Sequence, residues 1–184
     1  MRWQGLFDDL EGQLEAAQAV EHSGEVAERT RREAALLRLT DRLHPAVGQA
    51  LVVHVPGPVV LRGRLLDCGV DWLLLDVPAA GEVLVPLHAV LGVTGVGARA
   101  DSPDAQDAVG KKLDLRWALR GLARSRTGVT LGLSDGSLVT GTLDRVGKDH
   151  LDLAEHAPGE ARRAAAVRQV RLVPLSALAL VRST

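Results

Sequence analysis

The spacing of apolar residues first changes at Pro45. Before it, Phe7, Leu10, Leu14 and Ala17 stand three and four apart, the stripe of an amphipathic helix. His22-Ser23-Gly24 interrupts that stripe, and Ser23 is placed to cap a second helix over 25–43. That helix carries Leu36, Leu39 and Leu43 on one face and an i,i+4 pair, Glu28 with Arg32, on its charged face. A proline pushes the residue before it out of the α region, so the helical N-terminal region, residues 1–44, ends there.

Beyond Pro45 the apolar residues alternate in short runs, beginning with Leu51, Val53 and Val55 and continuing through 59–65, 72–77, 83–85 and 90–93. Pro56-Gly57-Pro58, Asp67-Cys68-Gly69-Val70 and Pro78-Ala79-Ala80-Gly81 separate them. Short runs broken by turn residues predict a small antiparallel barrel or sandwich over 46–96. Residues 97–110, with Asp101-Ser102-Pro103-Asp104, read as a linker. A basic helix over 111–123 then presents Leu115, Leu119 and Leu122, and extended runs return at 129–133, 138–143 and 150–153. The second unit spans 111–182.

The two β-units are copies of each other. Gly63-Arg64-Leu65 and Gly141-Thr142-Leu143 lie 78 residues apart, and the same offset carries Gly69 to Gly147, Asp71 to Asp149 and Leu73 to Leu151. Residues 84–90 match 172–178 at an offset of 88, which places ten extra residues in the loop containing 155–169. Gly63 and Gly141 fall inside strands and mark a sharp bend or a close backbone approach. Gly69 and Gly147 read as turn positions that need positive φ.

Composition narrows the function classes. Of 184 residues 46% are hydrophobic and 24% charged, so the chain can bury cores. Ile, Tyr and Asn are absent and Lys occurs only at 111, 112 and 148, the signature of GC-rich coding. The single Cys68 excludes an internal disulfide and a multi-cysteine metal site. Without an apolar leader core or a bilayer-length apolar run, a cytoplasmic protein with no membrane role is expected. Net charge is -1 but uneven: Lys111, Lys112, Arg116, Arg120, Arg124 and Arg126 face one acid, Asp114, over 111–128. Arg162, Arg163, Arg168, Arg171 and Arg182 face none over 161–184, while the first twenty-four residues are acidic. A polyanion would be drawn to the second half, and the bland alternative is a set of solvated faces.

Both units resemble the Sm-like fold, and in particular the bacterial Sm-type RNA chaperone. The apolar alternation, turn and Gly-x-Leu run appear over 53–75 and 131–153. The second motif is matched by Val85-Pro86-Leu87-His88-Ala89-Val90-Leu91-Gly92-Val93, with its His-Ala pair. The resemblance covers roughly 46–95 and 112–182. It implies a mainly β protein of two tandem Sm-like, SH3-like five-stranded barrels, each preceded by a helix. It also implies a non-enzymatic nucleic-acid-binding role, RNA first, or else an oligomeric protein-interaction module joined through sheet edges and N-terminal helices. The family's lysine before the motif histidine is Leu87 here and Leu175 in the second copy, which also has Ser176 for the histidine. With aromatic residues at 2% there are few platforms for base stacking, so contact falls to phosphates. The expected contacts are Lys111, Lys112, Arg116, Arg120, Arg124, Arg126, Arg162, Arg163, Arg168 and Arg171, with His88 as a candidate ligand contact or a turn histidine held by backbone.

No motif for a nucleophilic serine, a zinc protease or a phosphate loop occurs. Asp149-His150-x-Asp152 is a weak two-ligand pattern, better read as a partly exposed strand histidine. Trp72 is expected in the core or on a sheet face, and Cys68 as a small buried apolar residue. No cofactor is expected.

Overall fold

The computed structural model describes residues 28–29, 31–78, 80–101, 113–160 and 162–183, in two units, 1–38 and 39–184. The expected first helix and the linker's 102–110 lie outside the described residues, as do Lys111 and Lys112. In the first unit residues 31–35 are helical, and Arg32 meets Glu28 at 2.5 Å as the spacing predicts. The single helix expected over 25–43 is interrupted at 36–38, and helix α1 is Leu39–Leu43. Leu36 and Leu39 are exposed and only Leu43 of the expected stripe is buried. Helices in proteins are held mainly by burial of an apolar face, and this stripe buries too little to run unbroken.

Among the described residues the second unit holds ten strands and one longer helix. The strands are β1 (Ala50–His54), β2 (Val60–Cys68), β3 (Trp72–Val77), β4 (Gly81–Pro86) and β5 (Gly92–Thr94). After helix α2 (Leu115–Ser125) come β6 (Gly128–Leu133), β7 (Leu138–Val146), β8 (His150–Glu155), β9 (Gln169–Pro174) and β10 (Leu178–Ser183). All pairings are antiparallel. They form one open sheet in the order β5-β1-β2-β3-β4-β10-β6-β7-β8-β9. The chain is mainly β, as expected, but the sheet is continuous rather than two closed barrels. An unpaired strand edge leaves backbone groups open, and pairing β4 with β10 satisfies one edge from each half.

The duplication is written in the geometry. In each half the register between the second and third strands shifts at one place, between Leu65 and Asp67 and again between Leu143 and Arg145. A Cβ on Gly63 would lie 2.3 Å from the Asp76 carbonyl oxygen, and one on Gly141 2.2 Å from that of Ala154. The close backbone approach inferred from sequence is therefore real at both positions. Gly69 and Gly147 differ from expectation, since neither has positive φ. At Gly69 space is the reason for glycine, since a Cβ would lie 2.3 Å from Trp72 Nε1 and 2.7 Å from the Leu113 carbonyl oxygen; at Gly147 it would meet only the His150 ring, 2.7 Å away at Cε1.

Each half has its own core. Leu51, Val53, Leu65, Leu73, Leu75, Val83 and Val85 fill the first, with Cys68 among them. Burial pushes the Cys68 thiol up to about 12, as befits an inert apolar filler. Leu131, Leu143, Leu151, Leu153 and Val173 fill the second, joined by Leu115 and Leu119 of α2. Asp114 caps α2 by accepting the Trp117 N–H at 2.8 Å, and Arg126 closes the helix in the left-handed region at φ 51°. No helix among the described residues is long and apolar enough to cross a membrane.

Candidate functional site

The chemistry concentrates where the halves meet. The β4–β10 ladder aligns only Leu84 with Val181 and Val83 with Arg182. Side chains extend it. Asp71, in the β2–β3 loop, accepts the Leu115 N–H through Oδ1 at 2.7 Å. The Trp72 indole N–H donates to the Leu113 carbonyl at 2.8 Å. His88, in the 3₁₀ turn Leu87–Ala89 that follows β4, lies 3.1 Å through Nε2 from the Leu178 carbonyl and donates to it. So His88 is a turn histidine held by backbone, but the backbone belongs to the other half.

A cavity of about 370 Å³ opens beside these bonds, lined by Asp71, His88, Leu115, Arg116, Lys148, Leu175 and Ser176. Five elements deliver its polar groups: the β2–β3 loop brings Asp71, the first turn of α2 Arg116, the β7–β8 loop Lys148, and the two matching 3₁₀ turns His88 and Ser176. Arg116 pairs with Asp114 at 2.6 Å. Burial raises the Asp114 carboxyl, yet its bonds from Arg116 and the Trp117 N–H outweigh that and hold it below the ordinary value. Asp71 moves the other way: burial raises it, and the Leu115 N–H only partly opposes. Asp114 thus occupies Arg116, and Asp71 adds a second carboxylate, so Lys148 is the cation of the lining with no ion pair among the described residues.

The remaining expected contacts divide by location. Arg120 and Arg124 follow Arg116 at four-residue steps on α2, exposed and without an acidic partner among the described residues. Such steps put all three on one helix face. Arg126 is exposed at the helix end. Arg162 is tied to Asp144 by two bonds of 2.5 and 2.6 Å, and Arg171 is tied to Glu155. These two arginines brace the loop and β9, so their charge is already matched. Arg163 and Arg168 are exposed on the same loop and have no ion pair among the described residues.

Asp71, Lys148, Leu175 and Ser176 were not among the expected site residues. The repeat offset gave one signal, since Asp71 and Asp149 are mates. Lys148 stands apart from both basic runs, and only the β7–β8 turn carries it beside Arg116, whose Nη1 lies 3.5 Å from the Lys148 carbonyl. Trp117 is a second omission, an aromatic 49% exposed in a more apolar cleft with Trp72, Leu84 and Leu122. The Asp149–His150–Asp152 pattern does not converge: His150 Nδ1 bonds Asp149 at 2.8 Å, while Asp152 faces Arg145 at 3.9 Å. No group of three or more potential ligands for a metal occurs among the described residues.

Neither a scan of protein-family models nor a comparison with curated proteins returns a match for this chain.

Proposed function

We propose that this chain is a non-enzymatic RNA-binding protein of Sm-like type, contacting the sugar-phosphate backbone more than base edges. The observation that carries the reading is the pair of exposed arginines Arg120 and Arg124 on one face of α2, without an acidic partner among the described residues, on the helix whose first turn reaches Lys148 at the junction cavity. Two further features support it. Each half is a helix followed by five antiparallel strands, and a 3₁₀ turn joins the fourth strand to the fifth, as the resemblance implies. Trp117, exposed on the same helix, offers a face on which a base can stack.

Fluorescence anisotropy with single-stranded RNA, RNA duplex and DNA across a salt series tests the proposal. The expected result is binding of single-stranded RNA with a log–log salt slope of about −0.7 per phosphate contacted. Charge reversal at Arg120→Glu and Arg124→Glu should flatten that slope by roughly one to two contacts. Absence of binding at low salt overturns the reading. A second reading, an assembly module with no nucleic-acid role, is favoured by the outer edges of β5 and β9, which pair with no strand among the described residues.

A further inference from the structure

A second cavity at the junction, also of about 370 Å³, differs in chemistry from the one beside Lys148. One side of it is a row across four neighbouring strands. Asp67 of β2 aligns with Leu74 of β3, Leu74 with Leu84 of β4, and Leu84 with Val181 of β10. Residues aligned in this way share one face of the sheet. Helix α2 supplies Trp117, Ala118, Gly121 and Leu122 to the lining, and Trp72 joins them. Gly121 lies in the interior of α2, where glycine is a poor helix former. A Cβ there would meet nothing within 4 Å, and its φ is not positive, so neither packing nor backbone requires glycine. The missing side chain keeps the cleft open.

Charge separates the two cavities. Asp67 and Glu82 are the only charged groups of this lining, both exposed and without an ion pair among the described residues. Asp67 ends the cross-strand row on β2, and Glu82 stands two residues from Leu84 on β4. Trp117, 49% exposed, adds an aromatic face, and such faces attract cations through the ring quadrupole. A matching guest brings apolar surface for the leucines and indoles and a positive charge for the carboxylates. We propose that this cleft binds a small organic cation, an ammonium or guanidinium head on an aromatic or alkyl body. The body packs on Leu74, Leu84 and Trp72, and the head sits at the mouth, toward Trp117 and the carboxylates. Size selects a small molecule over a protein segment. The volume falls at the lower end of small-molecule sites, well short of what a stable protein contact covers. Trp117 is also the only exposed large apolar side chain of the lining, so the cleft is a pocket rather than a long groove.

The inference is independent of RNA binding, and its two carboxylates set this cleft apart from a phosphate site. Two of the three tryptophans of the chain line the cleft, so tryptophan fluorescence reads its occupancy. The full chain is titrated at fixed ionic strength with benzyltrimethylammonium, benzyl alcohol and phenylacetate. The cation should bind about ten-fold tighter than the neutral or the anionic probe. Asp67→Asn combined with Glu82→Gln should remove most of that preference and leave benzyl alcohol unaffected. Both positions are exposed, and the first change keeps an oxygen to accept the Cys68 N–H at 2.8 Å. Gly121→Leu should fill the cleft and weaken binding of the cation; circular dichroism melts confirm that it folds, and Gly121→Ala replaces it if it does not. No saturable response to benzyltrimethylammonium up to about 10 mM overturns the proposal. So does equal affinity for the three probes, or a preference for the cation that survives loss of both carboxylates. An affinity that falls as protein concentration rises also overturns it, because a second copy of the chain then fills the cleft.

Discussion

The carboxylate of Asp71 and the backbone N–H of Leu115 meet at 2.7 Å, though they stand 44 positions apart, one in the β2–β3 loop and the other at the start of α2. With only two aligned residue pairs between β4 and β10, side-chain bonds of this kind add to the packing of Trp72, Leu84 and Leu180 into the opposite half's core. Asp71→Ala leaves the Leu115 N–H without its charged acceptor and should cost about 1–3 kcal/mol in urea unfolding. Trp72→Phe keeps most of the ring but removes the donor to Leu113, and should cost about 1 kcal/mol. If the halves unfold together in the wild type, both variants should also broaden or split the transition.

Glycine positions allow a paired comparison. Gly141→Ala would place its Cβ 2.2 Å from the Ala154 carbonyl oxygen, a backbone atom that cannot swing aside. The forced strand shift should cost about 1–3 kcal/mol or more. Gly121→Ala, inside α2 with nothing within 4 Å of the new Cβ, should stabilise by about 0.5–1 kcal/mol. Thermal melts of the two variants should therefore move in opposite directions.

A buried polar pair gives a third expectation. The Thr142 hydroxyl donates to His156 Nε2 at 2.8 Å, while His156 Nδ1 donates to the Ala157 carbonyl at 3.0 Å. Both side chains are buried and satisfied. Thr142→Val keeps the shape but leaves Nε2 without a donor, at a cost of about 1–3 kcal/mol in chemical denaturation. Replacing both partners with apolar residues should recover part of that loss.

Acid should weaken the fold through the arginine-paired carboxylates. Hydrogen bonding from Arg162 holds Asp144 below its ordinary value of 3.8, and from Arg171 holds Glu155 below 4.5. A depressed carboxyl contributes stability above its unfolded value and loses it as pH falls through the folded one. Asp71, raised by burial, has the opposite sign: its contribution is present below the ordinary range and lost as pH rises through its folded value. Unfolding measured downward from pH 5 should show falling stability, with a shallower slope in Asp144→Asn. Salt should reduce the difference, because these pairs are partly exposed.

What the sequence revealed and what it concealed follow from the range of the interactions. The repeat offset found both bent strands and their glycines, because Gly63 and Gly141 answer to a local backbone clash. The same reasoning failed at Gly69, where the obstacle is Trp72 and the Leu113 carbonyl rather than the turn's own φ. The helix over 25–43 failed for a related reason: periodicity records which residues could share a buried face, not whether anything covers it. Basic α2 was visible as a charge run, and its arginines do share a face. The cavity was not, because Asp71, Lys148 and Ser176 become neighbours only when β4 finds β10. Arg162 and Arg171 looked as available as Arg120 in the sequence, and only the fold supplies the acids that occupy them.

The covalent link between the halves constrains arithmetic as well as geometry. Any assembly that grows by adding whole chains contains an even number of five-stranded units, so closures of five or seven units are barred to it. Its joints alternate, one built within a chain and one between chains, and the two are chemically unlike. Lys148 has Val70 as its mate, so its ammonium belongs to the internal joint alone. A guest held through Lys148 would therefore bind with a stoichiometry of one per chain, however many chains come together.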